Sequence, residues 1–333
     1  MRIATQDYHA GGEPFRIVTG GAPPLEGPTV LDRRDWASTH VDDVRRLLVN
    51  EPRGHAGMYG CHIVPPDDEE AAFGAVFFHK DGYSLACGHG TIALGAWAVD
   101  SGRVEAAPDG ETPILIDVPS GRVEARVRTR GGAVTSTVFR NVGAYVGARG
   151  LEVATERGPV QADISWGGAA YASVRASHLG LAVTPDDLGD LISVGREIKW
   201  ALDEHPAARH PRDGRLSGVY GTILWEPLPS PDGELHQRNV AVFADGQVDR
   251  SPCGSGTSAR MAVLDADGEL GDGTVLVHHG IVGTRFRSWI VERAEIHGRV
   301  AIITEVEGSA HMTGHHEFVL DPADEVGTGF QLL

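Results

Sequence analysis

Two of the three cysteines in this 333-residue chain stand in the same local setting, Cys87-Gly88-His89-Gly90-Thr91 and Cys253-Gly254-Ser255-Gly256-Thr257. They lie 166 positions apart, close to half the chain. Laid over each other without gaps, Cys87 to Gly102 and Cys253 to Gly268 share the cysteine, both glycines, the threonine, Ala93 with Ala259, Ala96 with Ala262 and the closing Gly102 with Gly268. The repeat implies two related halves, each supplying one thiol. A thiol placed where a Gly-rich turn opens a helix meets unpaired backbone N–H groups and the positive end of the helix dipole, which is expected to lower its pKa and favour thiolate. The same N–H groups bind carboxylate. Gly88, Gly90, Gly254 and Gly256 let the backbone approach a ligand with no Cβ in the way.

If pseudo-symmetric halves present these thiols across a cleft, a small carboxylate-bearing substrate would have one sulfur on each face of its α-carbon. One thiolate would remove the α-proton while the opposite thiol donates one, and the configuration inverts. Near-attack contacts of about 3–3.5 Å on either side would set the sulfurs roughly 6–7 Å apart, too far to be bonded. A proton pair with matched pKa values serves both directions of such a reaction.

The elements that must position the thiols are short and numerous, as Gly 44 and Pro 19 imply. The chain opens with a strand broken at Gly11-Gly12-Glu13-Pro14 and resumed, with His9 beside the turn read as structural. Residues 33–50 read as one helix whose apolar face carries Val41, Val44, Leu47 and Leu48. A loop from Glu51 to Gly60 precedes strands around Cys61 to Val64 and Ala71 to His79, and Cys61 reads as an inert buried side chain. Ile92 to Val99, apolar or glycine throughout, predicts a helix buried all round and stopped by Gly102. Helices are expected over Pro185 to Ala201 and Thr257 to Leu264, the second carrying Arg260. Strands are expected elsewhere, including a late one at Glu317 to Leu320. Gly-rich turns near 140–160 suggest the boundary, giving residues 1–150 with Cys87 and residues 151–314 with Cys253. The C-terminal strand, about 315–333, would complete the first half.

A chain this long is expected to form two domains. A net charge of −17 argues against a nucleic-acid partner. Three cysteines make no disulfide framework, and neither a signal-type run at the N-terminus nor an 18-residue apolar window is visible, so a soluble cytoplasmic protein is expected. No Cys-x-x-Cys or His-Glu-x-x-His spacing occurs among the three cysteines and sixteen histidines, and no metal is expected.

Four segments together resemble the proline racemase family: Asp-Tyr-His-Ala-Gly-Gly-Glu-Pro-Phe-Arg-Ile-Val from Asp7, Glu-Pro-Arg-Gly-His from Glu51, Cys-Gly-His-Gly-Thr from Cys87 and Asp-Arg-Ser-Pro-Cys-Gly-Ser-Gly-Thr from Asp249. The resemblance implies an α+β, diaminopimelate-epimerase-like fold of two pseudo-symmetric halves, each a β-sheet wrapped around a central helix, with the active site in the cleft. It implies a cofactor-independent enzyme acting on a small imino acid, and a homodimer is the candidate assembly. Cys87 and Cys253 would be the acid/base pair, and backbone N–H groups of Gly88, His89, Gly254 and Ser255 would hold the carboxylate. Asp249 and the His89 side chain would meet the ring nitrogen, while Tyr59 and Phe243 match the aromatic positions that sandwich the ring.

The family includes proline racemases, hydroxyproline 2-epimerases and trans-3-hydroxy-L-proline dehydratases. Its dehydratases generally carry threonine where this chain has Cys253, so Cys253 favours inversion and makes 4-hydroxyproline 2-epimerase the first expectation. Tyr83-Ser84-Leu85-Ala86 and Ala93-Leu94-Gly95, flanking Cys87, look closer to the dehydratase-like branch. Proline racemase and the dehydratase are therefore the alternatives. A cysteine hydrolase using His89 as base leaves the second cysteine motif unexplained. A non-catalytic imino-acid-binding protein would have no use for two matched thiols.

Overall fold

The computed structural model describes residues 1–271 and 273–332; residue 272 in the expected second half and Leu333, the end of the expected C-terminal strand, lie outside the described residues. Two compact units emerge, one of Met1–Val138 with Ser309–Leu333 and one of Phe139–Gly308.

The first unit runs β1 (Arg2–Ala10), β2 (Glu13–Gly20), α1 (Val30–His40), α2 (Asp42–Val49), β3 (Tyr59–Val64), β4 (Phe73–His79), β5 (Gly82–Tyr83), α3 (Gly88–Asp100), β6 (Gly110–Val118), β7 (Gly121–Arg130) and β8 (Ala133–Arg140), which crosses the boundary. Antiparallel β1 and β2 are followed by a parallel β2–β3 pair with α1 and α2 between them, then antiparallel β3–β4 and β4–β5. A second parallel pair, β4–β6, is spanned by α3, and β7 returns antiparallel to β6. Parallel neighbours need a crossover, and the helices supply it. The expected single helix over 33–50 is two: Val41, at φ −134°, ψ 25°, closes α1 and opens α2, and Asp42 and Asp43 sit in the new first turn. Those carboxylates favour a helix N-terminus there, so a fresh start is stabilised where the sequence holds no Gly or Pro to announce it.

The second unit repeats the plan: β9 (Ala144–Thr155), β10 (Gly158–Trp166), β11 (Ala170–Arg175), α4 (Leu188–Leu202), β12 (Val219–Pro227), β13 (Leu235–Phe243), β14 (Gln247–Asp249), α5 (Gly254–Ala266), β15 (Leu276–His279), β16 (Arg285–Ile296) and β17 (Arg299–Gly308). Its parallel pairs are β11–β12 around α4 and β13–β15 around α5, with antiparallel β12–β13, β13–β14, β15–β16 and β16–β17. Each cysteine therefore falls at the same topological point, before the helix of the second crossover. Every residue from Gly88 to Ala98 in α3 is buried, as its apolar run predicts, and so is every residue from Gly254 to Leu264 in the less apolar α5. Arg260 is the buried residue of α5 that carries a full charge. Its guanidinium lies 3.7 Å from the Trp225 ring centroid and its Nε donates to Gln237.

The last strand, β18 (Ala310–Val319), pairs antiparallel with β1, which gives the late strand a home in the first unit. The Asp7 and Glu51 motifs explain why it stays. Arg16 and Asp7 form a buried ion pair at 2.8 Å, Arg16 also donates to the Leu48 and Arg53 carbonyls, and its guanidinium lies 4.2 Å from the Phe318 centroid. Arg53 donates to the carbonyls of Val319 and Gly327 and to Asp324, clasping the tail that follows β18. His9 accepts the Gly12 N–H across the β1–β2 turn, the structural part expected of it.

Burial makes His62 and His278 acid-sensitive. Desolvation lowers His62 to about 4 and His278 to about 3, so both rings are neutral in the fold, each with an Nε2 that finds no partner. Below about pH 6.5 the unfolded chain binds protons that the fold refuses. The stability from these rings is thus complete above that pH and falls as pH drops toward the folded values, by about 1.4 kcal/mol per pH unit per ring. Urea midpoints at about pH 7.5 and about pH 5 are expected to differ accordingly, and His62→Gln with His278→Asn to flatten the difference.

Candidate active site

Cys87 is the N-cap of α3. Its sulfur accepts the Gly90 N–H at 3.2 Å, and the Thr91 hydroxyl donates to the Cys87 carbonyl at 2.9 Å. The helix begins at Gly88, four residues before the apolar run, because the turn residues are already helical. The two ring nitrogens of His89 lie 3.5 and 3.6 Å from the sulfur. That ring is held edge-on by Tyr59 at 5.0 Å and Phe15 at 5.7 Å between centroids, and the Tyr59 hydroxyl is hydrogen-bonded to Ser84 Oγ. Cys87, His89 and Tyr59 therefore assemble in one buried cluster of the first unit. Phe15 and Ser84 join them without having been singled out in the sequence.

Cys253 caps α5 in the second unit, and its backbone sits at φ 62°, ψ 95°, a conformation rare for a residue with a Cβ. A chain of turns sets it there. The Ser251 N–H donates to Asp249 at 2.8 Å, the Cys253 N–H donates to Ser251 Oγ at 3.1 Å, and the Thr257 N–H closes on the Cys253 carbonyl at 2.7 Å. Asp249 is buried beside the thiol, and Phe243 stacks on Tyr220 with centroids 5.4 Å apart. Tyr220 in turn meets Tyr171 edge-on at 5.8 Å, and the Tyr171 hydroxyl reaches Ser255 Oγ at 2.7 Å. Tyr171 and Tyr220 were not legible as site residues. The repeat Tyr59-Gly60 and Tyr220-Gly221, at the start of the equivalent strands β3 and β12, was the available signal.

One expectation is corrected. A thiol at a helix N-terminus was expected to have a lowered pKa; burial pushes the Cys253 thiol well above its usual value, and the Asp249 carboxylate pushes it further. Bonds from the Gly256 N–H and the Tyr171 hydroxyl work in the expected direction and are outweighed. The resting group is the thiol. Cys61, wholly buried in β3, is likewise raised by desolvation, in keeping with an inert role.

The second glycine of each motif has a steric reason. A Cβ on Gly90 would stand 2.7 Å from the Cys87 sulfur and 2.5 Å from Phe15, and one on Gly256 would stand 2.8 Å from the Cys253 sulfur. Gly256→Ala must displace the sulfur, and a shift of that order is expected to lower kcat/KM about 10²-fold. Alanine gains about 1 kcal/mol of helix propensity over glycine, so the melting temperature is expected to hold while turnover falls.

Among the described residues, one group has carboxylate and imidazole atoms close enough to hold an ion: Asp232, Glu234 and His236. Its atoms already serve other partners. His236 Nε2 meets Asp232 at 2.9 Å, His236 Nδ1 meets His279 at 3.0 Å, and Arg287 grips both Glu234 oxygens. No helix among the described residues is long and apolar enough to cross a membrane.

The sequence profile of the family described as Proline racemase matches residues 5–331. The chain belongs to the proline racemase family. Its fold is diaminopimelate-epimerase-like, with helices and strands mixed in each unit. Within the proline racemase family it is 40% identical over 328 residues to a trans-3-hydroxy-L-proline dehydratase of Bacillus cereus, a match covering 98% of this chain and 97% of that protein. It is 41% identical over 329 residues to a 3-hydroxyproline 2-epimerase of Burkholderia multivorans, covering 98% and 97%. The crystal structure of a hydroxyproline epimerase from Agrobacterium vitis with bound trans-4-OH-L-proline superposes with a TM-score of 0.90 at 30% identity, covering 99% of this chain and 96% of that one. Proline racemase family relatives of this chain are thus named both as epimerases and as a dehydratase.

Proposed function

We propose that this protein is a hydroxyproline 2-epimerase that works with two thiols and no cofactor. The observation that carries the reading is Cys253, a second buried thiol capping a helix at the same topological point as Cys87. One sulfur takes the α-proton, the other delivers a proton to the opposite face, and the α-carbon inverts. Gly88, His89, Gly254 and Ser255 stand in the first turns of α3 and α5, where the N–H groups of a helix suit a carboxylate. Asp249 supplies an anion for the ring ammonium. His89 lines the Cys87 side, and Tyr59 and Phe243 give each half an aromatic wall.

The ring substituent moves from the first expectation. The 40–41% identical relatives named above act, by their names, on 3-hydroxyproline, and they favour that substrate over the 4-hydroxyproline bound by the 30% identical epimerase. A second reading rests on the dehydratase among them. Dehydration breaks the C2–H and C3–O bonds of trans-3-hydroxy-L-proline, the hydroxyl leaving with a proton as water, and needs no reprotonation at C2. Proton NMR in D₂O separates the two with trans-3-hydroxy-L-proline, trans-4-hydroxy-L-proline and L-proline as substrates. Inversion with α-deuterium uptake supports the epimerase, whereas a pyrroline carboxylate from the 3-hydroxy compound makes the enzyme a dehydratase.

A further inference from the structure

The two sulfurs have different polar neighbours, although their turns repeat. In the first unit the residue two after the cysteine is His89, whose ring faces the Cys87 sulfur, and the neighbouring aromatic is Phe15, which carries no hydroxyl. In the second unit that residue is Ser255, and its hydroxyl turns to Tyr171 at 2.7 Å. Tyr171 Oη lies 4.0 Å from the Cys253 sulfur, within reach of a hydrogen bond to sulfur. Tyr171 and Ser255 are both almost wholly buried, at 1% and 2% exposure, so no bulk water competes for these hydroxyls.

We infer that Tyr171, backed by Ser255, is a catalytic residue that hydrogen-bonds the Cys253 sulfur and stabilises its thiolate. This rests on the two-thiol reading above and assigns a part to Tyr171 and to the Ser255 hydroxyl, which that reading leaves out. Two hydroxyls in a row can reverse their polarity. With Cys253 as thiol, S–H donates to Tyr171 and Tyr171 to Ser255; with Cys253 as thiolate, Ser255 donates to Tyr171 and Tyr171 to sulfur. The hydroxyls themselves bring no charge in either state, and in the thiolate state both of their hydrogens have an acceptor. A group that must serve as acid in one direction and base in the other gains from such a neighbour.

The charged and titratable groups around Cys253 make the need plain. Asp249 on β14 opposes the thiolate, and Tyr220 on β12 lies beyond Tyr171 on β11. Asp249 and burial both favour the protonated sulfur, and Tyr171 is the side chain that favours the ionised form. The Tyr171 phenol is itself held well above its usual pKa, by burial first and by Cys253 next, so it remains a donor at any working pH.

Tyr171→Phe removes the hydroxyl and keeps the ring, which is the arrangement Phe15 already provides in the first unit. The test is the pH profile of alkylation by iodoacetamide on the native full-length protein, read by mass spectrometry separately for the peptides holding Cys253 and Cys87. The midpoint for Cys253 is expected to move up by about one pH unit in Tyr171→Phe, from the loss of a hydrogen bond to a charged group, while that for Cys87 stays within about 0.3 unit. Ser255→Ala, which keeps the backbone N–H, is expected to move it in the same direction by less, and it carries the test if Tyr171→Phe does not fold. An unmoved or lowered Cys253 midpoint, or an equal shift at both cysteines, overturns the assignment. Alkylation needs no substrate, so a wild-type enzyme inert toward every imino acid would sink the two-thiol reading while the Cys253 midpoint still decides whether Tyr171 touches the thiolate.

Discussion

Cys253→Ser is expected to lose α-carbon inversion by about 10²–10⁴-fold in kcat/KM, the range that a positioned acid/base group contributes. Serine is a preferred N-cap and is smaller than cysteine, so the turn from Asp249 through Ser251 that sets the φ 62° backbone is retained. What disappears is a sulfur, which gives up a proton far more readily than the serine hydroxyl that replaces it. The same variant sorts the two reactions of the family. If Cys87 alone can take the α-proton of trans-3-hydroxy-L-proline, dehydration survives Cys253→Ser while inversion does not, and Cys87→Ser removes both. Full epimerase activity in Cys253→Ser would disprove the two-thiol mechanism. Chiral chromatography of the products measures inversion, and the pyrroline product measures dehydration.

Arg16→Met is expected to destabilise the first unit by about 3–5 kcal/mol, since it leaves a buried carboxylate without its cation. Arg16 is 6% exposed and Asp7 is 5% exposed, so water cannot take the place of the guanidinium. The substitution also removes the donor to the Leu48 and Arg53 carbonyls and the cation over Phe318. Adding Asp7→Asn is expected to recover part of the loss, because an isosteric neutral pair avoids the unpaired charge. Urea unfolding of the single and double variants measures both effects; a cost below about 1 kcal/mol for Arg16→Met would show the pair to be solvated.

The cysteine turns were legible because the chemistry is local: a thiol, two glycines and a threonine at fixed spacing dictate an N-cap and a helix start wherever they occur. The buried helix α3 was legible from its apolar run, and the likeness of the two cysteine turns from the repeat itself. The break at Val41 was hidden because no Gly or Pro marks it. Tyr171 and Tyr220 were hidden for another reason. Their place beside Cys253 is made by strands β11 and β12, 82 and 33 positions before it in sequence, and no local pattern carries that information. The raised thiol was missed because helix-end N–H groups can be read from a motif, whereas desolvation and the Asp249 carboxylate depend on what packs against it.

The return of β18 to β1 has a consequence for how the molecule is made. The second unit is one continuous stretch, Phe139–Gly308, and has all its strands once Gly308 has been synthesised. The first unit does not: β1 precedes the second unit in the chain, and its second neighbour comes only after the whole of that unit. Until then β1 presents an open row of backbone donors and acceptors, the kind of edge that invites pairing with another chain. On the ribosome, the half that begins first is therefore the half that finishes last, and the interval during which its edge needs shielding includes the whole time taken to translate the other half.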